Sequence, residues 1–230
     1  MRKALALSAV ITLVFTAAAV AAGPTVQVTV TPDTPSAHST LKISATGPFS
    51  APGLPKSLEL TAQKGFQSSA KSVAVLCNSR SSKVTSNSPN PCPANSKIGS
   101  GKVVANVTFL GTQSTQTAPF TLYLGKPRQT GDIASIVLSA TIASSTENVV
   151  GRLFKASNGS IEILFKKLPS APSGVTIKFK RLSLSAHAVN GTHSLITNPS
   201  SCSGGHWTGS FTLTFSSGTV SKNTPIPCSK

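Results

Sequence analysis

The chain has 230 residues, a formal charge of +16 at pH 7 and a pI near 10.3, with only 5 acidic residues against 21 Lys and Arg. That balance favours anionic partners and leaves few carboxylates for acid–base chemistry. Charged residues are only 11% of the chain, so its solvation rests on Ser, Thr and Asn.

Met1, Arg2 and Lys3 precede an uncharged apolar run, Ala4 to Ala22, that ends in small residues before Pro24. This pattern reads as a secretory leader over residues 1–22, with an uncleaved anchor as the alternative. No cysteine stands directly after it, so no lipid anchor is expected at that point, and no second long apolar run occurs, so no transmembrane span is expected after leader removal. Loss of Arg2 and Lys3 would lower the charge by two.

Period-two alternation dominates residues 23–230. "TVQVTV" sets Val26, Val28 and Val30 on one face, and "TLKISA" does the same with Leu41, Ile43 and Ala45. Residues 23–46 are therefore expected as an N-terminal β segment, too small to stand alone, packing on the main body. "GPFSAPGLPKS", residues 47–57, reads as a Pro/Gly-rich loop or linker. The rest, residues 58–230, is expected as one domain. Its strands are "SLELTA", "VAVL", "KVVANVTFL", "FTLYL", "ASIVLSATI", "GRLFKA", "SIEILFKKL", "VTIKFKRLSLSA" and "GSFTLTF". The stretch "FQSSAKSVAVLC" could alternatively form a short helix. In "VTIKFKRLSLSA" the apolar parity changes after Phe179, which predicts a β-bulge near Lys180 and Arg181. Together these give an all-β fold, an antiparallel β-sandwich of about eleven strands.

Cys77, Cys92, Cys202 and Cys228 allow three disulfide pairings. The local pairing, Cys77–Cys92 and Cys202–Cys228, is favoured because each closes a loop rich in Ser, Asn and Pro. No pair has the C-x₂₋₄-C spacing of zinc modules, so no metal is expected. "CPANSKIGSGKV" (Cys92 to Val103) offers a glycine and a lysine where a phosphate loop has them, Gly101 and Lys102. But the first glycine of that motif would be Ser96, its Ser/Thr would be Val103, and a strand follows in place of a helix. The stretch reads as structural: Ile98 plugs the core, and Gly99 and Gly101 let the backbone turn into the next strand.

The same stretch resembles the C-P-x-x-S-x-I-G element of a family of secreted actinobacterial proteins. Tyr123-Leu124, Gly151, Gly159, Asn198-Pro199, Cys202 and Cys228 follow in the order that family shows. The resemblance covers roughly Val75 to Cys228. It implies export and a β-rich fold and brings no catalytic residues.

Chemistry-bearing constellations are sparse. Glu59, Glu147 and Glu162 are the possible members of an acid pair, and Glu59 and Glu162 alternate with apolar neighbours as solvent-facing residues do. Ser39-x-x-Lys42 and Ser68-x-x-Lys71 lack the companion elements of the penicillin-binding enzymes. His38, His187, His193 and His206 have no ligand spacing. Sequons stand at Asn106, Asn158 and Asn190.

The basic run is the better clue. Arg152, Lys155, Lys166, Lys167, Lys178, Lys180 and Arg181 have only Glu162 among them, and hairpin pairing would gather them on one face. One Trp and one Tyr are few for nucleic-acid stacking, so no nucleic acid is expected. The expectation is a non-enzymatic protein without cofactor, extracellular or associated with the cell envelope. It would bind an anionic envelope polymer or lipid surface. A hydrolase of such a polymer, or a module that self-associates through strand edges, is the alternative.

Overall fold

A computed structural model describes residues 23–49, 53–142 and 145–230. The expected leader, residues 1–22, lies outside the described residues.

The apolar alternation becomes strands in chain order. β1 (Thr25–Thr31), β2 (Thr40–Thr46) and β3 (Ser57–Ala62) come first. Then come β4 (Lys97–Phe109), β5 (Thr112–Gly125), β6 (Asp132–Ile142) and β7 (Ser145–Lys155). β8 (Ile161–Phe165), β9 (Val175–Ala186), and the two-residue strands β10 (Val189–Asn190) and β11 (His193–Ser194) follow. β12 (His206–Phe215) and β13 (Gly218–Pro227) close the series.

Apart from the small β10–β11 hairpin, all strands belong to one 11-stranded sheet, ordered β1-β2-β9-β4-β5-β6-β7-β8-β3-β12-β13. Every neighbouring pair is antiparallel. Direction therefore alternates across the sheet, and with eleven strands the outer two, β1 and β13, run the same way. They lie side by side, and the Thr224 hydroxyl reaches the Val26 carbonyl across the seam at 3.4 Å. A closed antiparallel barrel needs an even number of strands, so the sheet nearly closes and stops. Two separately paired layers were expected. The backbone ladder instead runs unbroken from β1 to β13, because β2 pairs with β9 and β8 with β3.

One face of the ladder turns inward. Val28, Val30, Ile43, Leu58, Leu60, Leu122, Leu124 and Leu153 fill it, each contributing about 1.5–3 kcal/mol of burial. Trp207 is fully buried, donates Nε1–H to the Ser201 carbonyl at 2.8 Å and meets Phe66 edge-on at 5.4 Å. The bulge falls where the parity change predicts: Val104 faces Arg181 and Ala105 faces Phe179, so Lys180 is the extra residue. Phe179 and Leu182 are thereby both buried.

Alternating direction also sorts the connections into two ends. At one end lie both disulfides, Cys77–Cys92 and Cys202–Cys228, closing separations of 15 and 26 residues. Asn198 is buried there and donates Nδ2 protons to the Pro32 and Thr34 carbonyls at 3.0 and 2.8 Å, pinning the β1–β2 loop. The other end carries the β4–β5 and β12–β13 turns and the connections after β2 and β8.

Some local expectations are corrected. "VAVL" is no strand: a 3-10 turn at Ala70–Ser72 precedes it, and only Cys77 makes a single bridge, to Gly125. The helix foreseen around it is reduced to that turn, capped by the Ser69 hydroxyl, which accepts from the Lys71 amide at 3.2 Å. A short helix, α1 (Ser82–Thr85), forms inside the first disulfide loop instead. It sets Val84 with Tyr123 and Val137 in a second small core on the outer face of β5 and β6. Gly99 and Gly101 do not turn the chain. They lie within β4, where a Cβ would collide with the Ser185 and Ser183 carbonyls of β9 and with the Phe120 ring. Ser96, fully buried, donates to the Pro93 carbonyl at 2.6 Å and seals the bend that leads Ile98 into the core.

Candidate anion-binding face

The sheet order separates the cations that the sequence placed together. Arg152 on β7 is engaged within the fold: its guanidinium reaches Asp132 on β6 at 2.7–2.8 Å and lies 4.5 Å from the Phe154 ring centre. The Asp132 side chain has no exposed surface and also accepts from the Arg128 and Gln129 amides. This is the single ion pair among the described residues. Lys155 is exposed at the far end of β7, at the disulfide end. Lys166 and Lys167 are exposed just after β8, at the opposite end. Lys178, Lys180 and Arg181 are exposed on β9, with β4, β5 and β6 standing between β9 and β7. The expected single basic face of all these residues is therefore not formed.

The structure assembles a different one. β1, β2, β9, β4 and β5 are consecutive in the sheet. They carry Lys42, Lys97, Lys102, Lys178, Lys180 and Arg181, and no Asp or Glu. The acidic residues of the strands stand on the opposite wall: Glu59 on β3, Asp132 on β6, Glu147 on β7 and Glu162 on β8. Asp33 lies in the β1–β2 loop and accepts from the Ser229 hydroxyl.

Register sets the side chains of the acid-free wall in rows. Thr29 faces Lys42, Lys42 faces Ser185, and Ser185 faces Ser100. One step along, Gln27 faces Ser44, Ser44 faces Ser183, and Ser183 faces Lys102. Between these rows runs an open groove of about 660 Å³. A second groove of about 500 Å³ lies further along β9, lined by Thr46, Asn106, Lys178, Lys180 and Arg181 among others. The two follow β9 from Ser185 to Lys178, roughly 20 Å at strand rise. Small hydroxyl side chains leave the floor low, and lysines stand along the sides. With no carboxylate in these strands, the cations keep their positive potential for something outside the chain.

Lys42 and Lys102 stood in the sequence only as parts of rejected motifs, an S-x-x-K pair and a phosphate loop, because neither belongs to the basic run from Arg152 to Arg181. Both were legible as outward residues, since Lys42 alternates with Ile43 and Lys102 neighbours Val103.

The other candidates are placed as follows. Ser39 is fully buried and donates to the Pro32 carbonyl, so its hydroxyl is sealed away from Lys42. Ser68 Oγ is buried without a partner, beside the exposed Lys71. His187 meets the Thr40 hydroxyl at 3.2 Å and His206 the Gly204 carbonyl at 3.0 Å. Among the described residues no group of three or more His, Cys, Asp or Glu is placed to hold a metal ion. Glu59 faces Leu164 while Glu162 faces Thr61, which sets these carboxylates one diagonal step apart on neighbouring strands. Glu147 accepts from Asn87 Nδ2 at 3.0 Å. No helix among the described residues is long and apolar enough to cross a membrane.

No family model matches this chain, and no curated protein or solved structure matches it either.

Proposed function

We propose that this protein is an exported, non-enzymatic binder of linear anionic polymers of the cell envelope, which it holds along β9. The observation that carries the reading is the acid-free wall of β1, β2, β9, β4 and β5 with its groove between Lys42, Lys102, Lys178, Lys180 and Arg181. A linear polymer with phosphate or carboxylate groups would meet ammonium and guanidinium groups at intervals along the strand. Backbone groups there are occupied by the ladder, so recognition falls to these charges and to Ser and Thr hydroxyls. Such contacts are solvent-exposed and screened by salt over about 8–10 Å at ordinary ionic strength. The two disulfides support an oxidising compartment, in keeping with export. The same framework fits a sandwich-like barrel whose filled interior leaves ligands to the outside.

Polyphosphate and polyglutamate serve as defined phosphate and carboxylate polymers. The wild-type chain is expected to bind at least one of them at low salt and to release it at high salt. Reversal of Lys42, Lys102, Lys178 and Lys180 to Glu is expected to weaken binding at least tenfold and to flatten its salt dependence. Reversal of Lys155, Lys166 and Lys167, which lie off the grooves, should leave affinity close to wild type. Equal loss in both variants would reduce the effect to net charge and sink the β9 site.

A further inference from the structure

The β4–β5 turn is unusual for what it displays. Phe109 pairs with Thr112, so the loop is the two residues Leu110 and Gly111. Both have positive φ, 48° and 79°, the signature of the tight hairpin turn that matches strand twist. Its first position favours Asn, Asp or Gly, because a Cβ crowds the backbone in the left-handed region. Leucine stands there, and its side chain is 85% exposed. Phe109 beside it is 54% exposed. Leu110 is thus unfavourable for the turn and unfavourable for hydration, and folding gains nothing visible from it.

The surroundings of the tip define what it could meet. β5 pairs with β6 only from Phe120 to Gly125, and β2 pairs with β9 only as far as Arg181. Beyond those points β9, β4 and β5 continue as a three-stranded arm with the tip at its end, and Gly53 makes one parallel bridge to Lys178 at its base. The arm carries Lys178 and Lys180 and no carboxylate. Lys166 and Lys167 are exposed in the connection that leaves β8 at the same end. An apolar point with cations set back from it matches the section of a lipid layer with anionic headgroups. Leu110 and Phe109 would enter the acyl boundary while the lysines stay at headgroup level.

We infer that the β4–β5 tip is a lipid-insertion point, specific for anionic bilayers; Leu110 and Phe109 lie outside the β9 grooves, while Lys178 and Lys180 are common to both. A protein partner with an apolar cleft would engage the tip without using Lys166 and Lys167 at the same end, and a second copy of this strongly basic chain would bring like charges together.

The test uses the full disulfide-bonded chain and vesicles of phosphatidylcholine alone or mixed with phosphatidylglycerol. Wild type is expected to sediment with the mixed vesicles and far less with the neutral ones. Leu110→Asn suits the left-handed turn, so it keeps the fold, and it is expected to lower partitioning about tenfold. Its binding to polyphosphate should not change, which keeps this outcome distinct from failure of the β9 site. Leu110→Cys carrying an environment-sensitive dye should shift its emission to the blue on mixed vesicles. Equal partitioning of wild type and Leu110→Asn, no partitioning of wild type, or no dye shift would each overturn the inference. So would concentration-dependent association without lipid that Leu110→Asn abolishes, which would assign the tip to a second copy.

Discussion

On the wall of β6, β7, β8 and β3, Arg152, Asp132, Glu147 and Glu162 meet partners within the fold. Arg152 holds Asp132, Glu147 accepts from Asn87, and Glu162 accepts from Ser160. On the wall of β1, β2, β9, β4 and β5, cations stand beside hydroxyls and apolar stems, with no carboxylate in the strands. Both walls are antiparallel, both are backed by the same core, and both are equally regular. The difference is in what the outward positions answer to. A charge satisfied inside the fold contributes to stability, whereas one left unmatched is available to a ligand. Exposed cations and engaged cations should therefore fail differently when removed.

The largest effect is expected at Arg152. Arg152→Ala leaves the covered Asp132 carboxylate with two backbone amides and no opposite charge. The cost should be about 3 kcal/mol, read as a lower denaturant midpoint at unchanged slope. Lys178→Ala should move stability by no more than about 0.5 kcal/mol. Polymer affinity should show the reverse order. If Arg152→Ala proved as mild as Lys178→Ala, the distinction between the walls would be lost.

The first disulfide gives the next effect. Replacing Cys77 and Cys92 with Ser opens a loop spanning 15 residues, worth about 3 kcal/mol in the chain-entropy account. That loop lays Val84 over Tyr123 and Val137 on the outside of β5 and β6. Its release should raise hydrogen exchange there and leave the β9 grooves intact, because they lie on the other side of β5. Polymer binding by this variant, measured where it is still folded, should match wild type.

The strands were legible because each has one core face, and alternation records that directly. The β9 bulge was legible for the same reason: six apolar residues needed one inserted residue to share a face. β13 was missed. It is the edge strand, with only Thr224 and Ile226 buried among its middle and later residues, and with Pro225 and Pro227 in its sequence. Proline is tolerated at an edge, where amides need no partner, so its presence misdirects a reader looking for central strands. The basic site was misread for a different reason. Chain order placed Lys166 and Lys167 near Lys178, but β8 pairs with β7 and β3 while β9 pairs with β2 and β4. Which distant strands become neighbours is decided by closure of the whole sheet. A local pattern of alternation holds no record of that. At the disulfide end Ile98 was legible as a core plug, whereas Asn198 was not, because the Pro32 and Thr34 carbonyls it binds lie far away in the chain.

The smallest effect separates the two ends of the molecule most cleanly. At the disulfide end the buried polar residue Asn198 donates its Nδ2 protons to the carbonyls it ties down. At the arm tip Leu110 has a positive φ, and its side chain is almost wholly exposed. Leucine in that conformation costs about 1 kcal/mol, and asparagine largely escapes the cost. Leu110→Asn should therefore raise unfolding stability by about 0.5–1 kcal/mol, with no change in the cooperativity of unfolding. A stabilising change at a position that loses vesicle binding would mean that the native leucine is there at the expense of the fold. A neutral or destabilising result would mean that the fold itself makes use of Leu110, and the tip would then belong with the disulfide end as a structural feature.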